Sequence, residues 1–165
     1  MLIAQLTAMR SHCLRMQVGC VITDTKHENI VIGYNGGYRG GPNGCLGDPD
    51  VAGACGCIHA EANALVKAWQ GDKIAYITHT PCLVCATMLI NANVREVYYV
   101  IDYHKTDGID LLNHVGIPCM NIGAAVMADH QNRDFATLNK LADLLDIELT
   151  QIENILATHK GPVDD

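Results

Sequence analysis

Two short stretches, about twenty residues apart, constrain the fold of this chain more than any other feature. The first is Cys57-Ile58-His59-Ala60-Glu61 and the second is Pro81-Cys82-Leu83-Val84-Cys85. Each stretch is predicted at a helix start, and residues three apart on a helix share a face. Unpaired N–H groups at a helix N-terminus favour negative charge and so favour thiolates. We therefore expect a fold in which two helix starts meet.

The side chains of these stretches have the character of a metal site. His59, Cys82 and Cys85 supply three ligands, and a catalytic zinc keeps its fourth position for water. Bound zinc lowers the pKa of that water to roughly 7. Glu61 would remain free to transfer protons as a general acid and base. A structural zinc site or a set of buried thiols is the alternative, and the strand–helix placement of both stretches argues against it.

Composition narrows the class of protein. The chain has 165 residues, half of them hydrophobic and 18% charged, which is typical of one globular domain. Its net charge of −7, with eleven lysines and arginines, disfavours broad binding of nucleic acid. No apolar run reaches membrane-spanning length. Met1 to Met9 lacks the positive start and cleavage site of a signal peptide, so we expect a helix and a cytoplasmic protein.

Hydrophobic periodicity predicts a layered α/β domain with a mixed sheet. The first dozen residues are expected to form a helix that buries Leu2, Leu6, Met9 and Cys13. A β-hairpin and a long glycine-rich loop over 33–56 follow. Pro118 favours an edge position for the last strand, or a place among the first residues of that strand. The predicted hairpin strands are 18–22 and 30–34, the later helices 59–69, 81–91 and about 109–115, and the later strands 74–78, 97–101 and 117–122.

H-x-E followed by P-C-x-x-C is the signature of the zinc-dependent nucleobase deaminases. From about Met9 to Val115, the chain resembles the deoxycytidylate deaminase family in particular. The zinc motifs are shared by many deaminases, and the G-Y-N-G loop narrows the resemblance to this family. The segments that carry it are residues 10–19, Gly33-Tyr34-Asn35-Gly36, 40–43, 58–64 and 81–86.

The resemblance implies a cytidine-deaminase-like three-layer α/β/α sandwich with a mixed central sheet. It implies conversion of dCMP to dUMP for thymidylate synthesis, in a homohexamer that is activated by dCTP with Mg²⁺ and inhibited by dTTP. We expect a deaminase core over residues 1–123. Residues 124–165 are expected to form a helical extension of the same domain, with a capping box at Thr150 and Glu153.

Substrate contacts are less constrained by the sequence. By resemblance Asn35 would contact the substrate sugar, although an Asn between glycines is as often a turn residue. Arg15 and Arg39 are candidates for binding phosphate, or else they are solvated surface charges. Tyr103 would form a wall of the base pocket, or else belong to the core.

Four further cysteines, which we call the cysteine cluster, flank the glycine-rich loop. The resemblance implies a second, structural zinc in this region, and four thiols would suit a tetrahedral site. Reduced thiols in a tight core are the alternative. Cys20 and Cys119 lie in apolar runs and are expected in the core. The members of the cluster are Cys13, Cys45, Cys55 and Cys57.

Other functions remain open at this point. The substrate could be dCTP, 5-methyl-dCMP or a cytidine nucleoside. A tRNA adenosine deaminase would use the same zinc motifs but would be expected to carry a basic face. A zinc-binding interaction module without activity is the remaining alternative.

Overall fold

The computed structural model describes residues 1–51, 53–103 and 105–129, and one compact unit spans Met1–Ala124. The predicted helices within 135–159 lie outside the described residues. In the described part, no helix is long and apolar enough to cross a membrane. The elements of the unit are α1 Leu2–Ala8, β1 Gly19–Thr23, β2 Ile30–Tyr34, α2 Ala60–Leu65, β3 Lys73–His79, α3 Leu83–Asn91, β4 Val94–Ile101, α4 Asp107–His114 and β5 Cys119–Asn121.

The strands form one mixed sheet in the order β2-β1-β3-β4-β5. The β1–β2 hairpin is antiparallel, as predicted, and β1 also pairs antiparallel with β3. From β3 to β5 the pairing is parallel, with helices α3 and α4 as the connections. The strand after Pro118 lies at the edge, which confirms that prediction.

Two glycines on the hairpin show that helices cover both faces of the sheet. Gly33 lies opposite Cys20, whereas Gly19 lies opposite Tyr34, so the two glycines point to different faces. A Cβ on Gly19 would lie 1.9 Å from the carbonyl oxygen of Ala4 in α1. A Cβ on Gly33 would lie 2.2 Å from that of Ala60 in α2. The unit therefore has the three layers that were predicted.

The main core lies between the sheet and helices α2, α3 and α4. Cys20 is fully buried in it, as predicted, and Cys119 is partly buried against it. Small side chains on α2 and α3 let both helices lie close to the strands. The core residues are Cys20, Ile22, Ala60, Ala64, Ala75, Ile77, Ala86, Leu89, Val94, Val97, Leu112 and Ile117.

The buried face of α1 differs from the prediction. Leu6 and Met9 are 57% and 73% exposed, whereas Ala4, Thr7 and Ala8 are buried. The close approach of α1 to Gly19 leaves room only for small side chains at that contact. Leu2 is also exposed, and Cys13 is buried in the segment beyond the end of the helix.

Two predicted helices are shorter in the structure. Helix α2 ends at Leu65, because the amides of Lys67 and Ala68 bond three residues back instead of four. Val66, directly after the end of the helix, is 77% exposed. Helix α3 begins at Leu83 instead of Pro81, because Cys82 has an extended backbone.

Gly33 offers a test of how closely α2 must approach the sheet. We expect Gly33→Ala to lower the free energy of unfolding by about 1–3 kcal/mol, because the new methyl group would overlap the α2 backbone. Gly36→Ala is the matched control, since a Cβ there meets nothing within 4 Å. Denaturant unfolding of both variants measures the difference, and equal stabilities would contradict this packing.

Candidate active site

The starts of α2 and α3 meet, as the two sequence stretches required. His59 is the residue immediately before α2, and Cys82 is the residue immediately before α3. Both have an extended backbone, with ψ of 154° and 167°. Each helix therefore begins only at the following residue. The side chains of His59 and Cys82 lie where the starts of α2 and α3 meet. Cys85 lies in the first turn of α3 and is buried.

The three candidate ligands have the separations that one metal ion requires. His59 Nδ1 lies 3.5 Å from Cys82 Sγ and 3.4 Å from Cys85 Sγ. All three ligand atoms lie within 4.8 Å of one another. Tetrahedral zinc with ordinary bond lengths separates a sulfur from a nitrogen ligand by about 3.6 Å. The donor set therefore fits zinc in both chemistry and spacing.

The local hydrogen bonds stabilise a thiolate. The Cys85 thiol, His59 and the Cys85 backbone amide all lie in hydrogen-bonding positions around Cys82 Sγ. Together they lower the pKa of Cys82 to about 3. The contact with Cys82 also raises the pKa of His59 and, together with burial, that of Cys85. A soft anionic ligand is thus available at neutral pH.

Glu61 lies beside these ligands and is 4% exposed. Burial is the main cause that raises the pKa of its carboxyl group above the ordinary value. A carboxylate with a raised pKa both accepts and returns a proton more readily near neutral pH. Its position in the first turn of α2 keeps it next to His59 without making it a ligand of the candidate set.

A cavity of about 220 Å³ opens in front of the ligands and Glu61. It brings together most of the predicted site residues, including Asn35, Arg15 and Tyr103. Arg39 is exposed and is not among the residues that line it. The described lining comprises Cys13, Arg15, Met16, Val18, Asn35, Gly53, Cys55, Cys57, His59, Ala60, Glu61, His79, Thr80, Cys82, Tyr103 and Lys105.

The cysteine cluster forms a second group of thiols at the wall of this cavity. Cys45 Sγ lies 3.6 Å from Cys13 Sγ and 3.9 Å from Cys57 Sγ. The sulfurs of Cys13, Cys55 and Cys57 lie within 4.8 Å of one another. Tetrahedral zinc separates two sulfur ligands by about 3.8 Å. The group of three and the two contacts of Cys45 therefore have spacings near those of a zinc site.

Asn35 uses its side-chain amide to hold the neighbouring backbone. Its Oδ1 accepts from the Val18 amide at 2.8 Å, and its Nδ2 donates to the Met16 carbonyl at 2.7 Å. Asn35 is buried, and it also lines the cavity. The amide therefore holds the backbone at Met16 and Val18, whether or not it also contacts a ligand.

Arg15 links two distant segments at the cavity. Its Nη1 donates to the Pro49 carbonyl at 3.1 Å, and its Nη2 donates to the Tyr103 hydroxyl at 3.0 Å. Tyr103 is itself fixed by its backbone amide, which donates to Thr80 Oγ1 at 3.0 Å. These bonds order one side of the cavity.

Sequence reasoning did not single out His79, Thr80 or Lys105, which also line the cavity. His79 is the last residue of β3, and Thr80 lies between β3 and the second stretch; that position was the available signal. Burial lowers the pKa of His79, which favours the neutral ring. Lys105 is brought to the cavity by tertiary structure alone, since no motif marks it.

Comparisons with known proteins agree with this geometry. A sequence model of the cytidine and deoxycytidylate deaminase zinc-binding region matches residues 1–101. The chain belongs to the cytidine and deoxycytidylate deaminase family. The predicted resemblance is confirmed, and the matched region contains all seven candidate cysteine and histidine ligands.

Two relatives differ in how much of their length this chain spans. The chain is 34% identical to ComE operon protein 2 of Bacillus subtilis, over 90% of this chain and 87% of that protein. It is also 34% identical to the deoxycytidylate deaminase of Saccharomyces cerevisiae. That match covers 71% of this chain but only 41% of the yeast protein.

One solved structure is similar over most of its length. It is the dCMP deaminase of the cyanophage S-TIM5 in complex with dCMP and dUMP, with 33% identity and a TM-score of 0.65. The match covers 72% of this chain and 90% of that chain. The predicted cytidine-deaminase-like α/β fold is thereby confirmed.

Substitution of Asn35 can distinguish a structural role of its side chain from a contact with the substrate. We expect Asn35→Ala to lower the free energy of unfolding by about 1–3 kcal/mol, because a backbone donor and a backbone acceptor lose their partner. Asn43→Ala, in the exposed part of the same loop, is the control. Unchanged unfolding with a raised KM would instead assign Asn35 to the substrate alone.

Proposed function

We propose that this chain is a zinc-dependent hydrolase that converts dCMP and water to dUMP and ammonia. The observation that carries the proposal is one cavity that holds both the His59, Cys82 and Cys85 ligand set and the buried carboxyl group of Glu61. A similar chain binds dCMP and dUMP, which supports the choice of substrate. A free nucleoside, dCTP and 5-methyl-dCMP are the competing substrates.

The ligand set and Glu61 divide the chemistry between them. His59, Cys82 and Cys85 would hold zinc, which supplies a Lewis acid that activates water for attack on the ring carbon bearing the amino group. Glu61 takes a proton from the attacking water and delivers it to the adjacent ring nitrogen. It then transfers the second proton of that water to the departing amino group, and the bond from the ring carbon to this group breaks to release ammonia. Burial supports this role by making the Glu61 carboxyl easier to protonate.

Other lining residues are proposed to position the nucleotide. Asn35 is proposed to contact the sugar, and Tyr103 to form a wall of the base pocket; both line the cavity. Arg15 is the preferred phosphate contact of the two predicted arginines, because it lines the cavity whereas Arg39 does not.

We also propose that the cysteine cluster binds a second, structural zinc. Three free thiols that lie within 4.8 Å of one another, and the contacts of Cys45 with two of them, support this role. Cys13 lies two residues before Arg15, and Pro49 lies between Cys45 and Cys55. An ion in the cluster would therefore hold together the segments that the Arg15–Pro49 hydrogen bond joins.

The remaining parts of the proposal concern assembly and control. We propose a homohexamer regulated by dCTP with Mg²⁺ and by dTTP, as the family resemblance implies. The exposed side chains of Leu83 and Val84 on α3 give an apolar surface that supports subunit contact. A cytoplasmic location is supported by eight free cysteines, since reducing conditions keep thiols available as ligands.

The decisive test is ammonia release from dCMP, dCTP, deoxycytidine, cytidine and 5-methyl-dCMP, with and without added dCTP and dTTP. We expect dCMP to give the highest kcat/KM. Glu61→Gln should reduce kcat by about 10²–10⁴-fold and keep its zinc, because it removes proton transfer and leaves the ligands intact. Glu28→Gln, at an exposed hairpin position, is the matched control. Full activity of Glu61→Gln would exclude the proposed mechanism.

Metal analysis tests the cysteine cluster. We expect two zinc ions per chain in the wild type and one in Cys45→Ser, because that variant removes a ligand distant in sequence from His59. Cys119→Ser, in the edge strand, should keep both ions. One zinc per wild-type chain would rule out the second site.

A further inference from the structure

Most lysine and arginine side chains in the described ranges already have a partner. Such side chains contribute to packing and are not available for a ligand. Arg95 pairs with Asp72 at 2.9 Å, Lys73 donates to the carbonyls of Gly71 and Ala92, Lys67 donates to the Ile32 carbonyl, and Arg10 lies over the ring of Tyr34.

Lys105 differs from these cations. It is exposed, lines the cavity, and has no hydrogen bond or ion pair with another described residue. Lys26 and Arg39 are also exposed, but neither lines the cavity. Lys105 is therefore the cation at the cavity whose ammonium group remains available.

Two contacts fix the backbone on either side of Lys105. The Tyr103 amide donates to Thr80 Oγ1, directly before the second stretch. Gly108, in the first turn of α4, packs so closely that a Cβ there would lie 2.1 Å from the Pro81 carbonyl oxygen. Tyr103 and Gly108 are thus both held next to the second stretch, and Lys105 lies at the cavity.

Charge at the cavity favours an anion despite the acidic chain. The net charge is −7, so a phosphorylated substrate is repelled by the protein as a whole. The described residues that line the cavity include two cations, Arg15 and Lys105, and one carboxylate, Glu61. Arg15 directs one donor to Pro49 and another to Tyr103, which leaves fewer donors for a ligand.

We propose that Lys105 binds the 5′-phosphate of the substrate and thereby sets the preference for a nucleoside monophosphate over a nucleoside. This inference rests on the proposed function. A phosphate monoester carries about −1.5 to −2 charges at pH 7, and an ammonium group offers three donors on a flexible stem. Lys105 and Arg15 together form the phosphate site, although they lie near opposite ends of the sequence of the deaminase core. It lies beyond residues 1–101, which match the family's zinc-binding region.

The test is binding of dUMP to the zinc-loaded full chain, measured by calorimetry, because binding does not depend on turnover. Lys105→Gln should weaken dUMP binding by about tenfold to a hundredfold, as expected for loss of a hydrogen bond between charged groups. Lys105→Arg should restore most of the affinity. Lys26→Gln, which removes an equal charge from the exposed hairpin, should bind dUMP like the wild type.

Kinetics give a second readout that a general loss of stability would not produce. In Lys105→Gln, the ratio of kcat/KM for dCMP to kcat/KM for deoxycytidine should fall by about the same factor as the dUMP affinity. An equal loss for both substrates, or a dUMP affinity matching that of Lys26→Gln, would overturn the assignment. So would the absence of measurable dUMP binding in the wild type.

The outcomes also separate this inference from the proposed function. Wild-type protein that turns over dCMP, with unchanged dUMP binding in Lys105→Gln, overturns only the role of Lys105. Wild-type protein that releases no ammonia from dCMP, yet binds dUMP through Lys105, overturns the proposed reaction and retains the phosphate site.

Discussion

The meeting of two helix starts is the constraint on which the rest of this structure depends. His59 and Cys82 can share an ion only if α2 and α3 approach the sheet closely and side by side. Gly33 on the sheet and small side chains on the helices, such as Ala60, Ala64 and Ala86, permit this approach. At the start of α3, the Cys85 amide donates to Cys82 Sγ and favours the charged form of that thiol. The close packing of the core is consequently also what brings the candidate ligands together.

The segment before β1 extends this constraint from the metal ligands to the substrate cavity. Ser11 Oγ donates to the Asn35 carbonyl at 2.8 Å and accepts from the Cys13 amide at 3.2 Å. Asn35 in turn holds the backbone on the far side, at Met16 and Val18. These bonds fix an irregular stretch that carries both a thiol of the cysteine cluster and Arg15. Hydrogen bonds between side chains and the backbone stabilise this segment, whereas apolar packing stabilises the sheet.

Features that depend on residues close together in the sequence could be predicted, whereas features that depend on distant residues could not. The candidate ligands His59, Cys82 and Cys85 depend on local helix starts, and their grouping was predicted, as were the hairpin and the edge strand. The buried face of α1 was predicted wrongly, because it depends on Gly19 in another element. The Arg15–Tyr103 bond joins residues 88 positions apart, and no local pattern marks it. Lys105 was missed for the same reason.

This division has a consequence for how reaction and substrate choice are encoded. The groups proposed for the reaction stand at helix starts, where spacing of two or three residues is enough to bring donors together. The groups proposed for substrate recognition lie in irregular segments, whose positions depend on hydrogen bonds such as that from the Tyr103 amide to Thr80. A change in those segments can alter the cavity wall without moving His59 or Glu61. The family's chemistry can therefore persist while the phosphate and sugar contacts diverge.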